Sequence, residues 1–173
     1  MTIILHACLG NEVSAFHFLE TDFLPLNERF PGMEIVMHED HASLESVLPE
    51  VEYLVTWDFK APWLNQAPKL KAVFTPAAGR DWIEIPMTHE VKVVHGTFHG
   101  PMMAESMLGA MLYLNRDMPG VLANQDARTW NRNLQAGCRR LYGQTAVLIG
   151  YGAIGYHCGR LLTSMGMQVY GLQ

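Results

Sequence analysis

The sequence predicts an α/β protein made of two parallel-sheet units in series. Three observations carry that reading. Short apolar runs alternate with stretches of helical spacing over residues 2–95, the texture changes at Gly100-Pro101, and a glycine-rich turn follows a five-residue apolar run near the C-terminus. Strands that alternate with helices build parallel sheets covered on both faces. Strands buried on two sides read as continuous apolar runs, and these do.

Taken in order, residues 2–8 form the first predicted strand. Asn11 is a candidate cap for a helix whose apolar positions Phe16, Leu19, Phe23, Leu24 and Leu26 recur up to Phe30, where Pro31-Gly32 stops it. Residues 33–37 are the second strand and 41–48 a short helix ended by Pro49. Strands follow at 51–56, 70–75 and 91–95, with a short helix or turn over 61–67. Pro101 suits a first helical turn, so 102–117 reads as a helix closed by Pro119-Gly120. It is apolar on nearly all sides and rich in methionine. It must be covered, either by its own chain or by a dimer partner. A polar helix is expected over 121–134, then a loop through Gly137 to Gly143, a strand at 145–149, a helix, and a last strand at 167–172. The boundary falls near residue 98, giving domains 1–98 and 99–173.

Composition narrows the function. With 49% apolar and 17% charged residues, the 173-residue chain has the makings of a core for one domain and part of another. The N-terminus has no basic leader, and the longest apolar stretch, 101–114, is interrupted by Glu105. A cytoplasmic location is therefore expected, with no membrane partner. Three widely spaced cysteines read as free thiols. All 17 acids lie in residues 1–126 against seven Lys and Arg, whereas 127–173 hold five Arg and no acid. That asymmetry fits an anionic ligand near the C-terminal part or an acidic complement on a partner. No dense basic run with interleaved aromatics supports nucleic-acid binding. No carboxylate or cysteine stands at ligand spacing from His95 and His99, so no metal is expected.

The glycine turn is Gly150-Tyr151-Gly152-Ala153-Ile154-Gly155. It follows an apolar strand and opens a helical pattern at Ile154, Cys158, Leu161, Leu162 and Met165, which is the context a dinucleotide-binding turn requires. Gly150 serves the tight turn, Gly152 lets a pyrophosphate approach the backbone, and Gly155 lets helix and strand pack closely. The helix N-terminus then offers free N–H groups to the phosphates. An acidic residue usually follows about 20 residues on, at the ribose. Gln173 holds that place, which leaves both NAD and NADP open.

Together, three blocks resemble the D-isomer-specific 2-hydroxyacid dehydrogenases: LKAVFTPAAGRDWIEIP (70–86), HGPMMAESMLGAMLYLNRDMP (99–119) and LYGQTAVLIGYGAIGYHCGRLLTSMGMQVYGL (141–172). The resemblance implies a small flavodoxin-like substrate or lid domain, then a hinge helix and the first βαβ unit of a Rossmann nucleotide-binding domain. It implies that Ala78, Gly79 and Arg80 lie at a turn that receives the substrate carboxylate, a backbone anion nest in which Gly79 takes an angle other residues avoid. Arg80, where the family has a small or apolar residue, either adds a charge-assisted bond or points to solvent. Asp81 would cap a short helix after the turn. Met103 would face the nicotinamide or simply pack in the core. Cofactor contacts would come from Gly150, Tyr151, Gly152, Ala153, Ile154, Gly155 and Gln173.

The family's catalytic Arg, Glu and His stand downstream of the glycine turn, and no residue up to Gln173 matches them. His157 and Arg160 are the only polar candidates there, and they lie on the cofactor helix. No catalytic residue is assigned, and the chain is expected to be an inactive fragment of an NAD- or NADP-dependent dehydrogenase acting on a small 2-oxo or 2-hydroxy acid. A homodimer through helix 101–118 and the arm 119–142 is expected. So is cover for the open side of strand 145–149, from a second chain or from a longer protein. The other readings are a non-catalytic dimerisation module and a dinucleotide sensor.

Overall fold

A computed structural model describes residues 2–133 and 138–173. The chain falls into two compact units, residues 1–96 and 97–173.

The first unit holds one five-stranded sheet. Its strands are β1 (Ile3–Cys8), β2 (Met33–Met37), β3 (Tyr53–Thr56), β4 (Ala72–Thr75) and β5 (Lys92–His95). All pairings are parallel and the order is β2-β1-β3-β4-β5. This is the doubly wound order whose reversal point lies between β1 and β3. Side chains alternate between the faces. Cys8, Leu54 and Val73 pack with Leu44, Leu48, Phe59 and Trp63 on one side. Ala7 and Leu9 pack with Phe23, Ile35 and Val55 on the other. Each wholly buried leucine stabilises the fold by about 1.5–3 kcal/mol relative to exposure.

The short helices are α1 (Leu24–Arg29), α2 (His41–Glu45) and α3 (Trp63–Gln66). Asp40 caps α2, its carboxylate accepting from Ser43 N at 2.8 Å, and these bonds hold its pKa below the usual value. The single helix expected over 11–30 is replaced by 3-10 turns at Ser14–Phe16 and Glu20–Phe23 and by α1. Pro25 explains the break: it sits in the first turn of α1, where its missing N–H is harmless, and would interrupt a longer helix. Asn11 closes a local turn, accepting from Val13 N at 2.9 Å, instead of capping a helix.

The second unit contains α4 (His99–Asn115), α5 (Met118–Asp126), β6 (Thr145–Ile149), α6 (Ala153–Ser164) and β7 (Gln168–Leu172). β6 and β7 pair in parallel, Thr145 opposite Gln168 through Ile149 opposite Leu172. Leu141, Leu162 and Met167 form the buried centre, with Met107, Leu108, Met111 and Leu112 of α4 packed against it. One face of the methionine-rich helix is thus covered by its own chain, while Met102, Met103 and Leu114 stay exposed.

Pro119-Gly120 does not end α4 but opens α5. The break comes earlier, at Asp117, which takes a left-handed conformation (φ 48°) and accepts from Gly120 N. α5 stops at Asp126, short of the expected 134, because Arg128 also turns left-handed (φ 50°) and its N–H bonds back to Gln125 O. Trp130 lies beyond the helix and is exposed. The expected helix end at Leu134 and the loop start at Gly137 lie outside the described residues. No described helix is long and apolar enough to cross a membrane.

Candidate functional site

The glycine turn joins β6 to α6. Gly150 has φ +93°, a conformation that side-chain-bearing residues avoid. The N–H groups of Gly150 and Tyr151 both reach Leu172 O at 2.9 Å, which ties the turn to the end of β7. Gly152 is the N-cap of α6, and no side chain caps the helix there. A Cβ placed on Gly152 would meet nothing within 4 Å, so the space over the turn is open. The first helical bond is Tyr156 N to Gly152 O, 2.9 Å, so the amides of Ala153, Ile154 and Gly155 have no helical acceptor. The first turn of α6 carries no acidic side chain. Open backbone, unpaired amides and a helix dipole together suit an anion.

Gly155 does another job. A Cβ there would overlap the carbonyl oxygen of Gly150, so the helix can approach the turn only with glycine at this position. Tyr151 adds a wedge. A Cβ on Gly159 would lie 2.5 Å from the Tyr151 hydroxyl, and one on Gly171 would run into the ring itself. The ring therefore lies against bare backbone of both α6 and β7. Gln173 follows β7 directly and is exposed. Met103 lies on α4 with half its surface open, outside the buried cluster of that unit.

In the first unit, Ala78, Gly79 and Arg80 form a bend after β4. Among the described residues, none of their three amides donates to a protein acceptor, so the bend can receive an anion. Two expectations change here. Gly79 does not have a positive φ, and a Cβ on it would meet only Asp81 Oδ2, at 4.0 Å. Asp81 caps no helix, because residues 81–90 form turns and one bridge, Ile83 to Phe59. Arg80 points neither at the bend's amides nor at a carboxylate; its Nη1 lies 3.1 Å from Met87 Sδ.

Residues 108–173 match the family model of the D-isomer specific 2-hydroxyacid dehydrogenase, NAD binding domain. D-3-phosphoglycerate dehydrogenase of Escherichia coli (strain K12) is 32% identical over 110 residues, 62% of this chain and 27% of the relative. Over these residues the chain resembles the D-isomer-specific 2-hydroxyacid dehydrogenases. Hydroxypyruvate reductase of Thermotoga maritima is 26% identical over 138 residues, 76% of the chain and 45% of the relative. The chain thus spans between about a quarter and a half of the length of the curated relatives it matches. Among solved structures, D-lactate dehydrogenase from Aquifex aeolicus, complexed with NAD and lactic acid, shares the fold with a TM-score of 0.70 at 18% identity, over 97% of this chain and 50% of that one. A D-isomer specific 2-hydroxyacid dehydrogenase family protein from Aeromonas salmonicida gives 0.70 at 24% identity, over 99% and 53%.

The wedge formed by Tyr151, Gly159 and Gly171 was not anticipated from the sequence. Its trace in the sequence is an aromatic between the first two glycines, with further glycines on the helix and on the next strand. His157 packs against α4, where a Cβ on Gly100 would strike its ring, and Arg160 lies over the Tyr156 ring at 5.7 Å. Cys8 and Cys158 are buried and Cys138 is exposed. Burial, with Asp58 and Asp40 adding to it, pushes the Cys8 thiol up to about 11.

Proposed function

We propose that the chain is the substrate-side domain and phosphate turn of an NAD- or NADP-dependent D-2-hydroxyacid dehydrogenase, and that these 173 residues alone do not turn over. The observation that carries this reading is the open, unpaired N-terminus of α6 above Gly152. In it, Gly150, Tyr151, Gly152, Ala153, Ile154 and Gly155 hold the pyrophosphate, Gln173 stands at the ribose and Met103 at the nicotinamide side. When bound, the dinucleotide supplies or accepts the hydride of 2-oxo/2-hydroxy acid interconversion. The chain's own contribution is binding and orientation. The amides of Ala78, Gly79 and Arg80 receive the carboxylate of a small 2-oxo acid.

No general acid is assigned. His157 is packed on α4 and Arg160 lies on a neighbouring tyrosine, so neither is poised to exchange a proton with a substrate. With Gln173 in place of an acid, no acidic side chain there opposes a 2′-phosphate, so NADP is accepted as well as NAD. The test is the oxidation of NADH and NADPH by the pure chain with glyoxylate or hydroxypyruvate, with nucleotide binding measured alongside. Weak binding with no oxidation supports the proposal, and steady turnover refutes it.

A second reading is a non-catalytic homodimer through α4 and the 119–142 arm, favoured by the exposed Met102, Met103, Leu114 and Trp130. A dimer in sedimentation with no nucleotide affinity would select it over the first.

A further inference from the structure

One side chain spans the two elements that frame the glycine turn. The ring of Tyr151 lies against α6 at Gly159, where an added Cβ would stand 2.5 Å from its hydroxyl and 2.8 Å from Cε2. It reaches the first turn of the helix as well, since a Cβ on Gly155 would stand 3.8 Å from Cδ2. The same ring lies against β7, because a Cβ on Gly171 would overlap Cδ2. Its backbone grips that strand too: the Tyr151 N–H, like that of Gly150, donates to Leu172 O at 2.9 Å. Gly171 and Leu172 are the two residues that lead into Gln173. Tyr151 thus touches both the helix whose first amides are free and the strand that runs into Gln173.

Gly159 and Gly171 have no side chains to fill the space between α6 and β7, so the ring fills it. Closely packed interiors leave few voids, and a ring in such a gap fixes the separation of the elements on either side. Without it, helix and strand would have to shift to close the cavity. A dinucleotide is held at both places at once, the pyrophosphate on the helix N-terminus and the ribose at the end of the second strand. Misplacing one against the other lowers affinity for a ligand that uses both, and spares one that uses the helix alone.

We propose that Tyr151 is a positioning residue for the dinucleotide: its ring sets the separation between the phosphate-binding amides of α6 and Gln173 at the ribose. This rests on the phosphate-cradle reading of the α6 N-terminus. Ring carbons meet both Gly159 and Gly171, so phenylalanine does the same work.

The whole chain is titrated as wild type, Tyr151→Phe and Tyr151→Ala. Inorganic pyrophosphate needs the α6 amides alone, whereas ADP-ribose needs the amides and Gln173. Both are followed by 15N NMR at the backbone amides of Ala153, Ile154 and Gly155 and at the Gln173 side-chain amide. In wild type and Tyr151→Phe, ADP-ribose should shift both sets of signals. In Tyr151→Ala, pyrophosphate affinity should fall no more than about twofold and ADP-ribose affinity about tenfold, with the Gln173 signal unmoved. A merely structural role would lower both affinities by the same factor. Undiminished ADP-ribose affinity in Tyr151→Ala, equal loss of the two ligands, or a Tyr151→Phe variant as weak as Tyr151→Ala overturns the proposal. Tyr151→Leu, which keeps an apolar side chain in the gap, carries the same comparison should Tyr151→Ala not fold. No pyrophosphate shift in the folded wild type overturns the phosphate-cradle reading itself, and this proposal with it.

Discussion

Acid should weaken the first unit through one buried pair. His6 Nδ1 lies 2.9 Å from His38 Nε2, and both residues are less than a tenth exposed. The rings are nearly parallel, 5.2 Å apart. Burial lowers both pKa values from 6.5, and for His38 the neighbouring His6 lowers it further. A neutral pair needs one hydrogen between the two facing nitrogens. If both rings were protonated, both facing nitrogens would carry hydrogens, so the bond would be lost and two charges would meet in the core. Above pH 6.5 the histidines are neutral whether the chain is folded or unfolded, and the pair does not couple stability to pH. Below it the unfolded chain takes up protons that the folded one refuses, so stability falls with pH.

One withheld proton costs about 1.4 kcal/mol per pH unit, so about 2 kcal/mol between pH 6.5 and 5.0. In urea this moves the midpoint down by about 1 M. Tryptophan fluorescence reads it, because Trp57, Trp63 and Trp82 lie in the first unit and Trp130 is exposed in both states. The control is the double variant His6→Leu/His38→Leu, since replacing both partners with apolar side chains leaves no orphan. Its acid-induced loss should be smaller by that amount. Parallel loss in the two proteins would refute the reasoning.

Three further outcomes follow from the geometry. Gly155→Ala drives a methyl group into the Gly150 carbonyl, which should cost about 1–3 kcal/mol and lower the melting temperature of the second unit; an unchanged transition by calorimetry would contradict the close packing. Tyr151→Ala should loosen the turn by leaving the backbone of Gly159 and Gly171 uncovered, and faster amide exchange at residues 150–155 than in Tyr151→Phe is the expected sign. With a disulfide reagent at neutral pH, one thiol should react quickly, Cys138, while Cys8 and Cys158 respond only after unfolding. Rapid modification of Cys8 would contradict its burial.

Much of the fold was legible because the parallel strands are apolar on both sides. The segment 33–37 matches β2 residue for residue and 145–149 matches β6, while β3 and β4 begin two residues later than their apolar runs. Those extra residues, such as Val51 and Leu70, are buried without pairing, so hydrophobicity overstates strand length. Helix boundaries were harder to read where proline is ambiguous. Pro25 and Pro119 both open helices, and the sequence alone reads the first as interior and the second as a terminator. The left-handed turns at Asp117 and Arg128 carry no glycine signal. At the candidate site the separate tasks of Gly150 and Gly155 follow from spacing, because backbone geometry sets them. The Tyr151 wedge depends on neighbours far apart in sequence, and no local pattern encodes it.

The central claim is that the N-terminus of α6 above Gly152 is a phosphate cradle. Saturation-transfer NMR with NADH tests it most directly, comparing the wild-type chain with Gly152→Asp, which sets a carboxylate in the open space over the turn. The account predicts weak saturation of the adenosine protons in the wild type and its disappearance in the variant. No transfer in the folded wild type, or equal transfer in both, would contradict it.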